Sequence, residues 1–419
     1  MAKAIRSGRI SSEEIVSAHI EQIGAMNPHL NAVVRTEGHK ALIQARAADR
    51  HLASRSAKVG PLFGVPFTVK DIFDTAGVVT TAGLRKLKAN VPKEDATVVA
   101  RMRAAGAIMI GKTNCPPGGI GDDSANSMHG GTRNPYNLQR SPGGSSSGEA
   151  AIIAAGGSPI GIGSDSGGSI RLPAHFCGIA ALKPTTGRVP STGGYALVGG
   201  LTDPRSQVGP MARFVEDLWL LLPILAGPDG IDSGVVPMPL AKRLGALKGL
   251  KVAWYSDDGI TKPTRATAAA VRAASNALQK AGCKITQARP PGLDEAREVT
   301  LGYWGRKHIA TERLFLRWDG FRSSLLGFMA EYDLILSPVA ASPAPEYGAK
   351  SRLENQFSYT IPYSLGGNPC AVVRAGTSPE GLPIGVQVVA RNWCDDVALS
   401  AARAIEKSLG GWRPASVIP

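Results

Sequence analysis

The chain has 419 residues, enough for one large core or two ordinary domains, and 43% apolar residues, 19% charged residues, 50 Gly and 30 Pro describe a folded, loop-rich globular protein. The formal net charge of +14 would attract nucleic acid, anionic lipid or acidic substrates, yet aromatics are only 5% and no run of five basic residues occurs, so no nucleic-acid partner is expected. The five cysteines, Cys115, Cys177, Cys283, Cys370 and Cys394, are scattered and odd in number, which argues against a disulfide framework and for a reducing, cytoplasmic setting.

The opening segment is basic but has no apolar core, so no secretory signal is expected. Residues 11–24 begin with Ser11-x-x-Glu14, a capping box, and continue with Ile15, His19, Ile20 and Ile23 at helical spacing. A second helix is predicted over 38–53. GPLFGVPFTVKDIF at 60–73 reads as a turn followed by a strand near 65–70. Residues 96–106 are predicted helical and 107–113 a short strand. EAAIIAAGG at 149–157 is again helical, and PIGIGSD after it is a strand. LWLLLPILAG at 218–227 is too short to span a bilayer and contains Pro223, so a buried helix and no membrane partner are expected. A strand within 247–257, a strong helix at 264–282, and strands at 332–340 and 384–390 complete the pattern. Helices alternating with β-rich buried runs predict an α/β fold with a mixed sheet covered by helices, and no internal repeat is visible.

Two short motifs are decoys. Gly106 to Thr113 matches the P-loop formula, but the residues between its glycines are Ala, Ile, Met and Ile, which make a strand and not a phosphate-cradling turn. Gly144-x-Ser146-x-Gly148 matches a nucleophile elbow, but the segment before it is polar, contains Pro142 and is no strand.

Three polar segments remain. Lys70 and Asp71 end an apolar strand. Ser145, Ser146 and Ser147 follow a Gly-Gly pair, and so does Ser169 in GSDSGGS at 163–169. Each segment alone is compatible with a polar turn, with Lys70 snorkelling at a sheet edge. Together they suit a hydrolase. Backbone N–H groups freed by glycines converge on one spot able to hold an oxyanion, and a buried lysine of lowered pKa can serve as base for a serine. His175, six residues beyond Ser169, reads as a packing residue. The seven histidines, His19, His29, His39, His51, His129, His175 and His308, have no metal-ligand spacing, so no metal and no cofactor are expected.

The chain resembles the amidase signature family. The resemblance is carried by SPGGSSSGEAAIIAAGGSPIGIGSDSGGSIRLPAHFCGIAALKPTTGRVP at 141–190, GVPFTVKD at 64–71, GKTN at 111–114, the GxxxNP pattern at 130–135, and ENQFSYTIPYSLGGNPCAVV and GLPIGVQVVA near the C-terminus. It covers essentially the whole chain. It implies one amidase domain over 1–419, with the amidase signature fold: a central mixed twisted β-sheet covered on both faces by helices. It also implies a Ser-cis-Ser-Lys triad. Ser169 would be the nucleophile, Ser145, held by a cis peptide, the proton relay, and Lys70 the base. Backbone N–H groups of Ser166, Gly167, Gly168 and Ser169 would form the oxyanion hole. Ser146 would hydrogen-bond the lysine, and Asp165 and Arg171 would brace the loops. Ser147 stands where the family usually has glycine, which serine tolerates if its φ is negative.

For the substrate pocket, the resemblance points to Cys115, Pro117, Asp122, Asn126 and Tyr136 on one side and Phe357, Tyr359 and Tyr363 on the other. This mixture suits a small or aryl amide, with carbamates and esters as further substrates. The expected protein is a cytoplasmic monomer or homodimer acting on a small amide and water. The alternative within the enzyme class is a glutamine-hydrolysing subunit of a tRNA amidotransferase, the A-type component, working with partner proteins. A non-enzymatic α/β scaffold is disfavoured by the intact Lys70, Ser145 and Ser169.

Overall fold

The computed structural model describes residues 1–54, 59–197, 200, 203–241, 246–305, 312–349 and 353–415. Eleven strands join one sheet: β1 Val33–Thr36, β2 Pro66–Lys70, β3 Ile108–Thr113, β4 Ile160–Asp165, β5 Ala180–Lys183, β6 Gln207–Ala212, β7 Lys251–Trp254, β8 Lys284–Gln287, β9 Leu334–Pro338, β10 Cys370–Thr377 and β11 Pro383–Ala390. Their spatial order is β1-β3-β2-β4-β6-β5-β10-β11-β9-β7-β8. The sheet is mixed: β2 runs parallel to β3 and β4, whereas β4 pairs antiparallel with β6, and β10 with both β5 and β11.

Both faces are covered. Alternate residues of one strand enter two different apolar clusters: Leu334 and Leu336 join one and Ile335 the other, and Ala371 and Val373 are separated in the same way from Cys370 and Val372. A strand buried on both faces has no solvent side, so its sequence is a continuous apolar run without polar alternation. PFTVK and IGIGSD are likewise buried along their whole length, although Thr68, Lys70, Ser164 and Asp165 place polar groups among the apolar ones.

The predicted helices form where the periodicity places them. Ser11 caps the helix Ser12–Leu30 with the full reciprocal box, its hydroxyl accepting from Glu14 N–H while the Glu14 carboxylate accepts from Ser11 N–H. Gly38–Ala53, Thr97–Ala104, Ser147–Ala154 and Arg265–Lys280 match the predicted helices. The helix Val215–Leu225 buries Leu218, Leu221 and Leu222 but leaves Leu220 at the surface. No helix among the described residues is long and apolar enough to cross a membrane.

Candidate active site

The carboxyl ends of the parallel strands β2 and β4 face one crevice, the usual place for a site in a sheet of this kind. β2 delivers Lys70, which is wholly buried. Its Nζ donates to Ser145 Oγ at 2.7 Å and to Ser164 Oγ at 3.0 Å. Burial lowers the ammonium from its ordinary value to about 8, against the opposing pull of Cys115, Asp165 and Glu149. Asp71 turns away from this group. Its Oδ2 accepts from the N–H and hydroxyl of Thr81, and its Oδ1 lies 3.9 Å from Lys112 Nζ.

Ser145 follows a cis peptide bond from Gly144. Gly144 sits so close to the backbone of Asp122 and Asp123 that a Cβ there would lie 2.6 Å from it. Ser146 N–H donates to Ser169 O at 3.1 Å, which ties the Ser145 segment to the Ser169 segment. Ser146 does not bond Lys70 as the resemblance implied. Its Oγ accepts from Ser164 N–H at 3.4 Å, and Ser164 supplies the hydroxyl that the lysine uses. Ser164 lies one residue before Asp165 at the end of β4, and only the strand's register would have singled it out. Ser147 is helical, without positive φ.

The Ser169 loop is braced from below. Asp165 Oδ1 accepts from Arg171 Nη2 at 2.9 Å, and Asp165 Oδ2 accepts from Arg171 Nε at 2.9 Å and Ile170 N–H at 3.1 Å. Burial alone would raise the Asp165 carboxyl, but Arg171 outweighs it and holds it below the usual carboxylate range. Arg171 reaches on to Thr360 O at 2.8 Å and Ser364 Oγ at 2.7 Å. Residues 166–169 donate no backbone N–H to an acceptor among the described residues. Ser166 Oγ is hydrogen-bonded to Ser206 Oγ.

Ser169 opens onto a cleft of about 410 Å³. Its walls are the Gly118–Gly121 segment, the side chains of Ile72, Tyr195, Leu197, Tyr303, Trp304 and Phe357, and the pair Asp203 and Arg205. The Arg205 guanidinium lies 4.2 Å from the Tyr303 ring centroid and 5.2 Å from that of Trp304. Among the described residues no group of His, Cys, Asp and Glu could hold a metal ion, and His308 lies outside them.

The Amidase family profile matches residues 14–313 and 306–399. The chain belongs to the amidase family. It is 33% identical to an acylamidase of Rhodococcus erythropolis over 97% of this chain and 94% of that one. It is also 33% identical to the A-type subunit of the glutamyl-tRNA(Gln) amidotransferase of Geobacter metallireducens, over 96% and 95% of the two chains. A solved fatty acid amide hydrolase superposes with a TM-score of 0.89 at 28% identity, covering 98% of this chain and 84% of the other.

In this amidase the pocket residues expected from sequence need correction. Of that set only Phe357 lines the cleft among the described residues. Cys115 is buried, its thiol pushed up to about 12 by burial. Asn126 is spent holding its own loop, with Nδ2 donating to Asn114 Oδ1 at 2.7 Å and Cys115 O at 2.9 Å. Pro117 is exposed and Asp122 half-buried. These two flank the glycines whose backbone makes the wall instead. Tyr136 OH donates to Arg413 O. Tyr363 is hydrogen-bonded to Tyr255 at 2.8 Å, and Tyr359 OH donates to Thr261 O at 2.8 Å, so both are core residues behind the wall. Tyr195, Asp203, Arg205, Tyr303 and Trp304 carried no motif, and the fold alone gathers them.

Proposed function

We propose that this amidase-family protein hydrolyses a small or aryl carboxylic amide through an acyl-enzyme on Ser169. The observation that carries the reading is the 2.7 Å contact between Lys70 Nζ and Ser145 Oγ, in a segment tied by Ser146 N–H to Ser169 O. A lysine lowered to about 8 is neutral in a useful fraction of molecules near neutral pH.

Ser169 Oγ attacks the amide carbon. Its proton passes to Ser145 Oγ as the Ser145 proton passes to neutral Lys70. The carbonyl oxygen takes up negative charge against the unengaged N–H groups of the 166–169 loop. The relay then runs backward: Ser145 protonates the departing amine, the C–N bond breaks, and Ser169 is left acylated. Water attacks the ester by the same route, releasing the acid and restoring Ser169. The proton reaches an amine or an alkoxide equally through Ser145, so esters and carbamates belong to the accessible chemistry. The cleft supports the substrate class, because its aromatic and aliphatic side chains offer a flat apolar group more contact than a polar one.

The likeness to the glutamyl-tRNA(Gln) amidotransferase component keeps glutamine as the second reading. A panel of p-nitroanilides, primary amides, aryl carbamates and glutamine separates the two. Turnover of aryl or small neutral amides by the chain alone supports the proposal. Turnover of glutamine only, and only with added partner proteins, replaces it.

A further inference from the structure

One carboxyl group beside the site takes no part in the proton path. Glu149 lies in the first turn of the helix Ser147–Ala154 and is completely buried. Neutral donors take both its oxygens: Thr68 Oγ1 donates to Oε1, and Thr113 Oγ1 donates to Oε2 at 2.8 Å. These two threonines are not arbitrary. Thr113 on β3 is the register partner of Lys70 on β2, and Thr68 precedes Lys70 by two residues. Side chains two apart on a strand share a face and are separated by roughly 7 Å. Glu149 therefore stands on the Lys70 face of the sheet, about one strand repeat away. On β4, Gly161 makes room for it, since a Cβ there would overlap Glu149 Oε1.

We infer that Glu149 is a positioning residue for the reaction: its carboxylate pins β2 to β3 at the level of Lys70, and its charge sets how readily Lys70 gives up a proton. This rests on the reading of Lys70 as the base. The titratable groups around the pair are few. Lys70, on the same face of β2, and Lys112, on the opposite face of β3, are the cations that act on Glu149, and Glu149, Asp165 of β4 and the Cys115 thiol are the groups that act on Lys70. The neighbouring elements commit their charges elsewhere. His19 bonds Ile15 O, Arg171 bonds Asp165, and His175 bonds Gly385 and Ser342. Burial raises the Glu149 carboxyl to about 7, so it is largely ionised where Lys70, at about 8, loses its proton. A negative neighbour then holds the proton on Lys70.

Glu149→Gln keeps the shape and removes the charge. The acid limb of kcat/KM is expected to move to lower pH by roughly one unit, a tenfold gain in relative rate on that limb. Thr113→Val takes away one donor, favours the neutral acid, and is expected to move the limb the same way by less. It also serves if the glutamine variant fails to fold. A purely structural Glu149 would change melting temperature and leave the limb in place, so an unmoved limb in a folded variant overturns the inference. Full activity in Lys70→Arg would instead overturn the reading beneath it, which separates the two failures.

Discussion

Asp165 and Arg171, six residues apart, form an ion pair of 2.9 Å in which neither side chain is exposed. Between them run Ser166 to Ile170, so the pair closes the loop that presents Ser169. Asp165→Asn would leave the Arg171 guanidinium buried without its counter-charge. Stranding one member of a buried pair costs about 3–5 kcal/mol. Urea unfolding should show a loss of that order, with activity falling at the same time. A variant as stable and active as wild type would show that the loop is held by other means.

Lys70→Arg tests the base. Arginine keeps the charge and cannot deprotonate near neutral pH. The expected loss in kcat/KM is about 10²–10⁴-fold, the scale of a missing general base. Burial holds the folded lysine near 8, below its ordinary value, and on the proposed mechanism the neutral form is the active one. Activity should therefore rise as pH climbs toward and through 8. That apparent ionisation belongs to the coupled Lys70, Ser145 and Glu149 set and not to Lys70 alone. An active arginine variant with the wild-type profile would remove Lys70 from the chemistry.

Ser147 provides a test that should improve the protein. Its hydroxyl is buried and has no hydrogen-bond partner among the described residues. A buried polar group without a partner costs about 1–3 kcal/mol. Ser147→Ala should raise stability by about 1 kcal/mol in chemical denaturation, with catalysis unchanged. A destabilised variant would reveal a partner for that hydroxyl.

Trp304 stands in the wall of the cleft, its ring 6.5 Å from that of Phe357 in an edge-on arrangement. Trp304→Ala should raise KM for aryl amides by about tenfold or more and leave an acetamide-sized substrate little affected, since the lost contact is apolar area. Equal effects on both substrates would mean that Trp304 shapes the Ser169 loop and not the substrate.

Much of this architecture is legible in the chain because local and tertiary preferences agree there. The capping box at Ser11, the helical period after Arg265 and the continuous apolar runs ending at Lys70 and Asp165 each imply one structure. β6 was not legible. QVGPMA carries a proline at position 210, which ordinarily argues against a central strand, yet Pro210 pairs with Ile162 inside the sheet. β5 and β8 are four residues each, too short for a period to show. At the site, Lys70, Ser145 and Ser169 stand out in the sequence by their chemistry, and Asp165 and Arg171 through the resemblance alone; the fold brings Lys70 against Ser145 and Asp165 against Arg171. Ser164 and Glu149 do not stand out, because their meaning comes from strand register. The pocket wall was mostly missed for a similar reason. It is built from the backbone of 118–121 and from side chains scattered between Ile72 and Phe357, and it uses no motif. Conspicuous aromatics such as Tyr359 and Tyr363 proved to be core.

Ser169 is the residue proposed to carry the acyl group. A fluorophosphonate probe forms a stable phosphonyl ester with an activated serine, and peptide mapping by mass spectrometry locates it. One adduct is expected, on the peptide containing Ser169, formed faster as pH rises toward 8 and absent from a folded Ser169→Ala protein that has lost amide hydrolysis. An adduct on Ser145 or Ser146, or labelling and turnover that persist in Ser169→Ala, would contradict that assignment.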